Sequence, residues 1–108
     1  MYEQRDIVLI PFPYSDLTIS KKRPALIISN LKINKTEDRI CCLVTSKVHS
    51  EDIIIKNKNL EKGNLPFKSS VKPHRIFTIH KKAIIRKLCK IDKDLHLRVI
   101  DKLNEYII

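Results

Sequence analysis

The stretch Arg5-Asp6-Ile7-Val8-Leu9-Ile10-Pro11-Phe12-Pro13, continued after a polar interval by Lys21-Lys22-Arg23-Pro24-Ala25-Leu26-Ile27-Ile28-Ser29, decides the fold. Each half carries an unbroken run of β-branched and aliphatic residues, the signature of a buried strand. Pro11 and Pro13 lack an N–H, so the first strand is expected to end or bulge there. Tyr14 to Lys22 is polar and reads as a turn.

Further strands follow from the same reading. Ile40 to Thr45 gives a third, Ile53 to Ile55 a short fourth, and Val71 to Ile79 a fifth interrupted at Pro73. Ser29 to Asp38 is a polar connection, and Lys56 to Phe67 is a loop holding the only glycine, Gly63. Ala83 to Ile91 fits either a strand pair or a helical turn. After Asp92, an N-cap residue type, Leu95, Val99, Ile100, Leu103, Tyr106 and Ile107 fall on one helical stripe. Lys93, Arg98, Asp101, Lys102 and Glu105 take the opposite face, and Asp94 suits the positive helix start. Short strands closed by one amphipathic helix predict a single mainly β domain, a small bent sheet or partly open barrel covered on one side. No repeat or Gly, Ser or Pro-rich linker divides residues 1–108.

Composition narrows the function. The 108 residues hold 22 Lys and Arg against 12 acidic residues, a formal net charge of +10. Such a field attracts polyanions, nucleic acid foremost; a lysine-rich surface with no specific role is the plain alternative. The apolar runs Ile7 to Ile10 and Ile40 to Val44 fall far short of the ~20 residues of a spanning helix. With no signal-peptide pattern either, a cytoplasmic location is expected and no membrane partner. Cys41 and Cys42 are adjacent, so on a strand they face opposite ways and do not bridge each other. Cys89 stands alone, and His49, His74, His80 and His96 show no metal-ligand spacing, so neither a metal nor a cofactor is expected.

The motif Asp6-Ile7-Val8, the segment Arg23-Pro24-Ala25-Leu26-Ile27-Ile28-Ser29, the strand end Leu43-Val44-Thr45-Ser46, Ser70-Val71, Phe77-Thr78-Ile79 and the basic stretch from Lys81 to Ile91 stand in an order that resembles the MazF/PemK (Kid-like) toxins of type II toxin–antitoxin systems. The resemblance covers nearly the whole chain. It implies an SH3-like barrel with a C-terminal helix, usually a homodimer, that cleaves single-stranded RNA and is silenced by an acidic, partly disordered antitoxin segment. It also implies Arg23 and Thr45 as functional residues, with Lys72 and His74 on the positions of a functional arginine and aspartate. Arg5 replaces the family's opening glycine, Thr18-Ile19-Ser20 a glycine-bearing loop, His80 an acidic residue and Cys89 a common glycine.

The residue types make chemical sense of this. RNA carries its own nucleophile, the 2′-hydroxyl, so cleavage needs a proton removed, charge stabilised on phosphate and the 5′-oxygen protonated. The guanidinium of Arg23 matches two phosphate oxygens, and Thr45 can donate to the same oxygens or orient the 2′-hydroxyl. Neither is a base. His74 is the candidate acid or base, since imidazole suits proton transfer near neutral pH. Lys21, Lys22, Ser46, Lys47, Lys72 and Arg75 form the expected phosphate-guiding surface, and Tyr14 the base-stacking residue. Structural readings stand beside these: Arg23 as a charge held extended by Pro24, Thr45 as an ordinary strand residue, Ser46-Lys47 as turn chemistry and His74 as a surface residue. The rival functions are a barrel without turnover that binds RNA or an antitoxin-like protein, and a DNA-binding regulator. The latter lacks a helix-turn-helix pair.

Overall fold

The computed structural model describes residues 1–13 and 20–108. The expected Tyr14 site and the Thr18-Ile19 departure lie outside the described residues. Seven strands among those described form one antiparallel sheet: β1 (Asp6–Pro13), β2 (Ser20–Ile27), β3 (Asp38–Thr45), β4 (Ile53–Ile55), β5 (Leu60–Gly63), β6 (Ser69–His80) and β7 (Arg86–Ile91). Their order across the sheet is β4-β6-β3-β2-β1-β7-β5. A short helix α1 (Leu31–Asn34), the C-terminal helix α2 (Lys93–Ile107) and two single 3-10 turns, Asn57–Asn59 and Lys81–Ala83, complete the described elements of the mainly β, SH3-like fold.

Period-two alternation sorts the apolar residues onto two faces. Ile7, Leu26, Cys42, Val44, Val71, Cys89 and Ile91 pack with Leu95 and Val99 of α2. Val8, Ile10, Ala25, Ile27, Cys41 and Ile84 form a second cluster, edged by Tyr2, Phe12, Phe77 and Ile79. Each fully buried Leu, Ile or Val contributes about 1.5–3 kcal/mol, so the two clusters together hold the curled sheet. Cys41 and Cys42 fall in different clusters as their adjacency requires, free and buried. Burial pushes both thiols up to about 12, so neither is a ready nucleophile.

Several expectations need correction. β1 passes Pro11 and ends at Pro13, the second of the two prolines expected to stop it, paired with β2 as far as that residue. Beyond Leu9 it has lost β7, and a strand with one neighbour tolerates residues lacking an N–H. Lys21 and Lys22 lie in β2 rather than in a turn. The Ser29 to Asp38 connection holds α1, capped by the Asn30 side chain, which accepts from the Lys32 N–H at 3.0 Å. The Lys56 to Phe67 loop contains β5, whose Gly63 has φ +77°; a Cβ there would lie 2.4 Å from the Leu88 carbonyl oxygen. Of the ambiguous stretch Ala83 to Ile91, Ala83 ends the turn Lys81–Ala83 and Arg86–Ile91 is the single strand β7.

Arg5 shows why its glycine was replaceable. It adopts the left-handed conformation itself, φ +77°. Its N–H donates to Ile27 O at 2.9 Å, its carbonyl accepts from the Ile91 N–H at 2.9 Å, and Nη1 donates to Glu61 Oε2 at 2.7 Å. These contacts hold a backbone that glycine would adopt without strain. His80 likewise takes over a capping task, its Nδ1 accepting from the Lys82 N–H at 3.1 Å. Asp6 is fully buried, accepts from the Glu3 N–H at 2.8 Å and pairs with Lys87 and Lys90 of β7, so its part in the motif is structural.

Helix α2 begins as expected, with Asp92 Oδ1 accepting from the Leu95 N–H at 2.8 Å. Only its first two turns are buried; Tyr106 and Ile107 are exposed. His96 is buried instead. Burial first, then the nearby Arg5 charge, holds it below the ordinary histidine range, so it folds neutral. The unfolded chain then binds a proton more readily, and stability is expected to fall as pH drops through the ordinary histidine range, levelling off below the folded value. Urea unfolding from pH 8 to 5 should show that slope, and His96→Leu should flatten it. An unchanged slope in the variant would assign the effect to another group.

Candidate active site

One end of the face that carries Val8, Ala25 and Cys41 turns polar, and the register shows how. Ala25 pairs with Leu43, and Leu43 with Lys72. Asp52 continues that rung, one residue past the Ile53–Val71 pair of β4 and β6. On the next rung Ile10 pairs with Arg23, Thr45 with Ser70, and Ser70 with Ile54. Arg23 and Thr45 fall opposite each other two residues beyond the last β2–β3 pair. Alternation therefore places Arg23, Thr45, Ser70, Lys72 and Asp52 on one face of four neighbouring strands.

Thr45 is buried, and its Oγ1 accepts from the Lys47 N–H at 3.1 Å. That bond fixes the hydroxyl oxygen as an acceptor toward the turn and leaves its O–H to donate elsewhere. Ser46 and Lys47 are exposed in the turn that follows. Lys21, paired with Phe12, shares the face of Arg23, whereas Lys22 alternates to the other.

The expected break at Pro73 is a bulge within β6. Cys42 pairs with Ile76 and Leu43 with Lys72, so Pro73, His74 and Arg75 have no partner on β3. Pro73 is buried and its carbonyl receives the Cys42 thiol at 3.7 Å. His74 and Arg75 are exposed. The His74 ring meets Tyr106 of α2 edge-on, centroids 6.1 Å apart.

What the sequence reading missed is the company of Lys72. Its ammonium donates to Asp52 Oδ2 at 3.1 Å and Oδ1 at 3.3 Å, and to His49 Nδ1 at 2.9 Å. The Asp52 carboxylate also accepts from the His49 N–H at 2.9 Å and from Ser70 Oγ at 3.4 Å. Burial works to raise the Asp52 carboxyl; the His49 N–H and the Lys72 ammonium more than offset it and hold it below the ordinary carboxylate range. Among the described residues no three His, Cys, Asp or Glu gather as metal ligands.

The sequence profile of the PemK-like, MazF-like toxins of type II toxin–antitoxin systems matches residues 3–107. The chain belongs to this family.

Solved structures repeat the fold of this toxin at low identity. An endoribonuclease in complex with its cognate antitoxin, from a mycobacterial species, superposes with a TM-score of 0.79 at 16% identity, covering 97% of this chain and 93% of that one. A MazE–MazF complex from Deinococcus radiodurans gives 0.79 at 18%, covering 98% and 95%. A second mycobacterial endoribonuclease gives 0.75 at 17%, covering 96% and 88%. No curated protein sequence matches the toxin. No helix among the described residues is long and apolar enough to cross a membrane. In this toxin, Arg23, Thr45 and Lys72, taken from the family resemblance, share a face, while His74 stands beside the C-terminal helix.

Proposed function

We propose that this toxin is a metal-independent endoribonuclease that cuts single-stranded RNA, mRNA above all, at a short preferred sequence. The observation that supports this reading is the shared face of Arg23, Thr45 and Lys72 at the polar end of the sheet. Arg23 stabilises the charge that develops on the phosphate oxygens, Thr45 donates its hydroxyl hydrogen to them, and Lys72 draws the phosphate in. The 2′-oxygen attacks the adjacent phosphorus and the 5′-oxygen leaves. The products are a 2′,3′-cyclic phosphate and a 5′-hydroxyl end, and DNA is inert because it lacks the nucleophile.

Lys21, Lys47 and Arg75 extend the positive surface along which the strand is guided, with Lys22 at its margin. Ser46, as a phosphate contact, and Tyr14, as a base-stacking aromatic, complete the substrate-binding set read from the sequence. An acidic antitoxin segment, ordering as it binds, competes for the same charges. The protein acts in the cytoplasm as a homodimer.

Incubating the purified protein with a long single-stranded transcript in excess EDTA, and mapping the ends, tests this. Discrete cuts with 5′-hydroxyl ends are expected. Intact RNA with folded protein would instead favour a barrel that binds RNA or an antitoxin-like protein without turnover. Tight sequence-specific retention of duplex DNA at physiological salt would favour a DNA-binding regulator.

A further inference from the structure

The proposed reaction needs a group to take the 2′-hydroxyl proton, and neither Arg23 nor Thr45 can do so at neutral pH. His49 stands four residues after Thr45, in the turn that joins β3 to β4. That turn is held at both ends. The His49 N–H donates to Asp52 Oδ2 at 2.9 Å and the Asp52 N–H donates to His49 O at 3.0 Å. Beside it, Glu51 accepts from Lys102 of α2 at 2.8 Å, with the Tyr106 hydroxyl 3.5 Å away. The side chain of Asp52 is only 1% exposed while that of His49 is 67% exposed, so a buried carboxylate backs an open imidazole.

Ring chemistry decides what this arrangement can do. Nδ1 lies 2.9 Å from Lys72 Nζ and 3.6 Å from Asp52 Oδ2. An ammonium only donates, so in the resting protein Nδ1 accepts and the ring proton sits on Nε2. Lys72 shares the face of Arg23 and Thr45, where an RNA phosphate competes for its ammonium. Once Lys72 turns to that phosphate, Nδ1–H can face Asp52 Oδ2, and Nε2 is left with its lone pair. The groups facing the ring are therefore Asp52, the last residue of the turn before β4, and Lys72 from β6. Glu51 is committed to Lys102.

We propose that His49 is the general base of RNA cleavage, that Asp52 is its positioning residue, and that Lys72 keeps the base blocked until phosphate binds. This rests on the ribonuclease reading above. Nε2 takes the proton of the 2′-hydroxyl as the 2′-oxygen forms its bond to phosphorus. The bond from phosphorus to the 5′-oxygen breaks, that oxygen takes a proton from water, and the imidazolium returns its own to the hydroxide so formed. Asp52 stabilises the imidazolium, as a buried carboxylate does when it orients a catalytic histidine.

Cleavage of the long transcript in EDTA, followed from pH 5 to 9, tests the assignment in the full-length protein. His49→Asn is expected to slow cleavage by about 10²–10³-fold and to erase the acid limb of the rate profile. Its affinity for a 2′-deoxy-substituted, uncleavable oligonucleotide should change by less than about three-fold, since the base adds little to phosphate binding. Asp52→Asn should slow cleavage and move the acid limb to lower pH, because removing the anion destabilises the imidazolium. His49 is exposed, so its variant folds even where Asp52→Asn does not. Cleavage by His49→Asn within about three-fold of the wild type, with the acid limb intact, overturns the assignment alone. So does a variant that loses only RNA affinity. A wild-type protein that leaves RNA intact overturns the ribonuclease reading and this one with it.

Discussion

Arg23→Ala is expected to lower the rate of RNA cleavage by about 10³-fold or more, the largest loss expected of any single change in the active face. The reason is the kind of charge involved. In the transition state the phosphate gathers negative charge on two oxygens, and a guanidinium meets both through parallel N–H bonds. Arg23 stands on the polar rung between Ile10 and Thr45, extended by Pro24 after it. Arg23→Lys keeps the charge and loses the fork, so an intermediate loss of about 10–10²-fold is expected. RNA binding, measured on an uncleavable oligonucleotide, should weaken far less than the rate falls in either variant. Equal losses in binding and rate would make Arg23 a phosphate-guiding residue only. An unaffected rate would remove it from the active face.

The largest expected loss of stability belongs to a residue with no part in cleavage. Arg39 is 1% exposed, the largest of the fully buried side chains among the described residues. Its Nε donates to Tyr2 O at 3.0 Å, and its Nη1 donates to Thr36 O at 2.9 Å and Asp38 O at 2.7 Å. Those bonds tie the N-terminal segment and the turn after α1 to the start of β3. Arg39→Ala removes three charge-assisted bonds and leaves a cavity, a combined loss of about 3–5 kcal/mol. Against a total of about 5–15 kcal/mol for an ordinary domain, such a variant is marginal. Arg39→Met fills much of the cavity and donates nothing, so a loss of about 1–2 kcal/mol is expected. Urea unfolding of both variants separates packing from hydrogen bonding. A methionine variant as stable as the wild type would show that the three bonds contribute nothing net.

Much of the fold was legible in the residues themselves. Ile7 to Ile10, Ala25 to Ile28 and Ile40 to Thr45 have no periodicity but that of buried strands, and each lies in a strand or at its end. Asp92 announced the helix, because a capping side chain acts on the N–H groups of its own first turn. Proline removes a ladder donor, and whether that ends a strand depends on the neighbour it has at that point: β1 passes Pro11, whereas at Pro73 the ladder with β3 is interrupted as expected. Tyr106 and Ile107 continue the apolar stripe of α2 and yet are exposed, because helical spacing fixes a face and not what covers it.

The proposed active face divides the same way. Sequence alone determined that a basic, mainly β domain of this kind carries Arg23 and Thr45 in a recognisable order, since a motif is local and needs no partner to be read. Only the tertiary structure decided what stands beside them. Asp52 meets Lys72 because β4 pairs with β6 in one register, and a shift of β4 by a single residue would turn Asp52 to the opposite face. His49 joins them through a turn closed by that same carboxylate. His74 lies in a three-residue bulge, where the alternation that would have set its direction is lost. Spacing along the chain fixes which residues share a strand face; register between strands, set by burial of the whole sheet, fixes which of them meet.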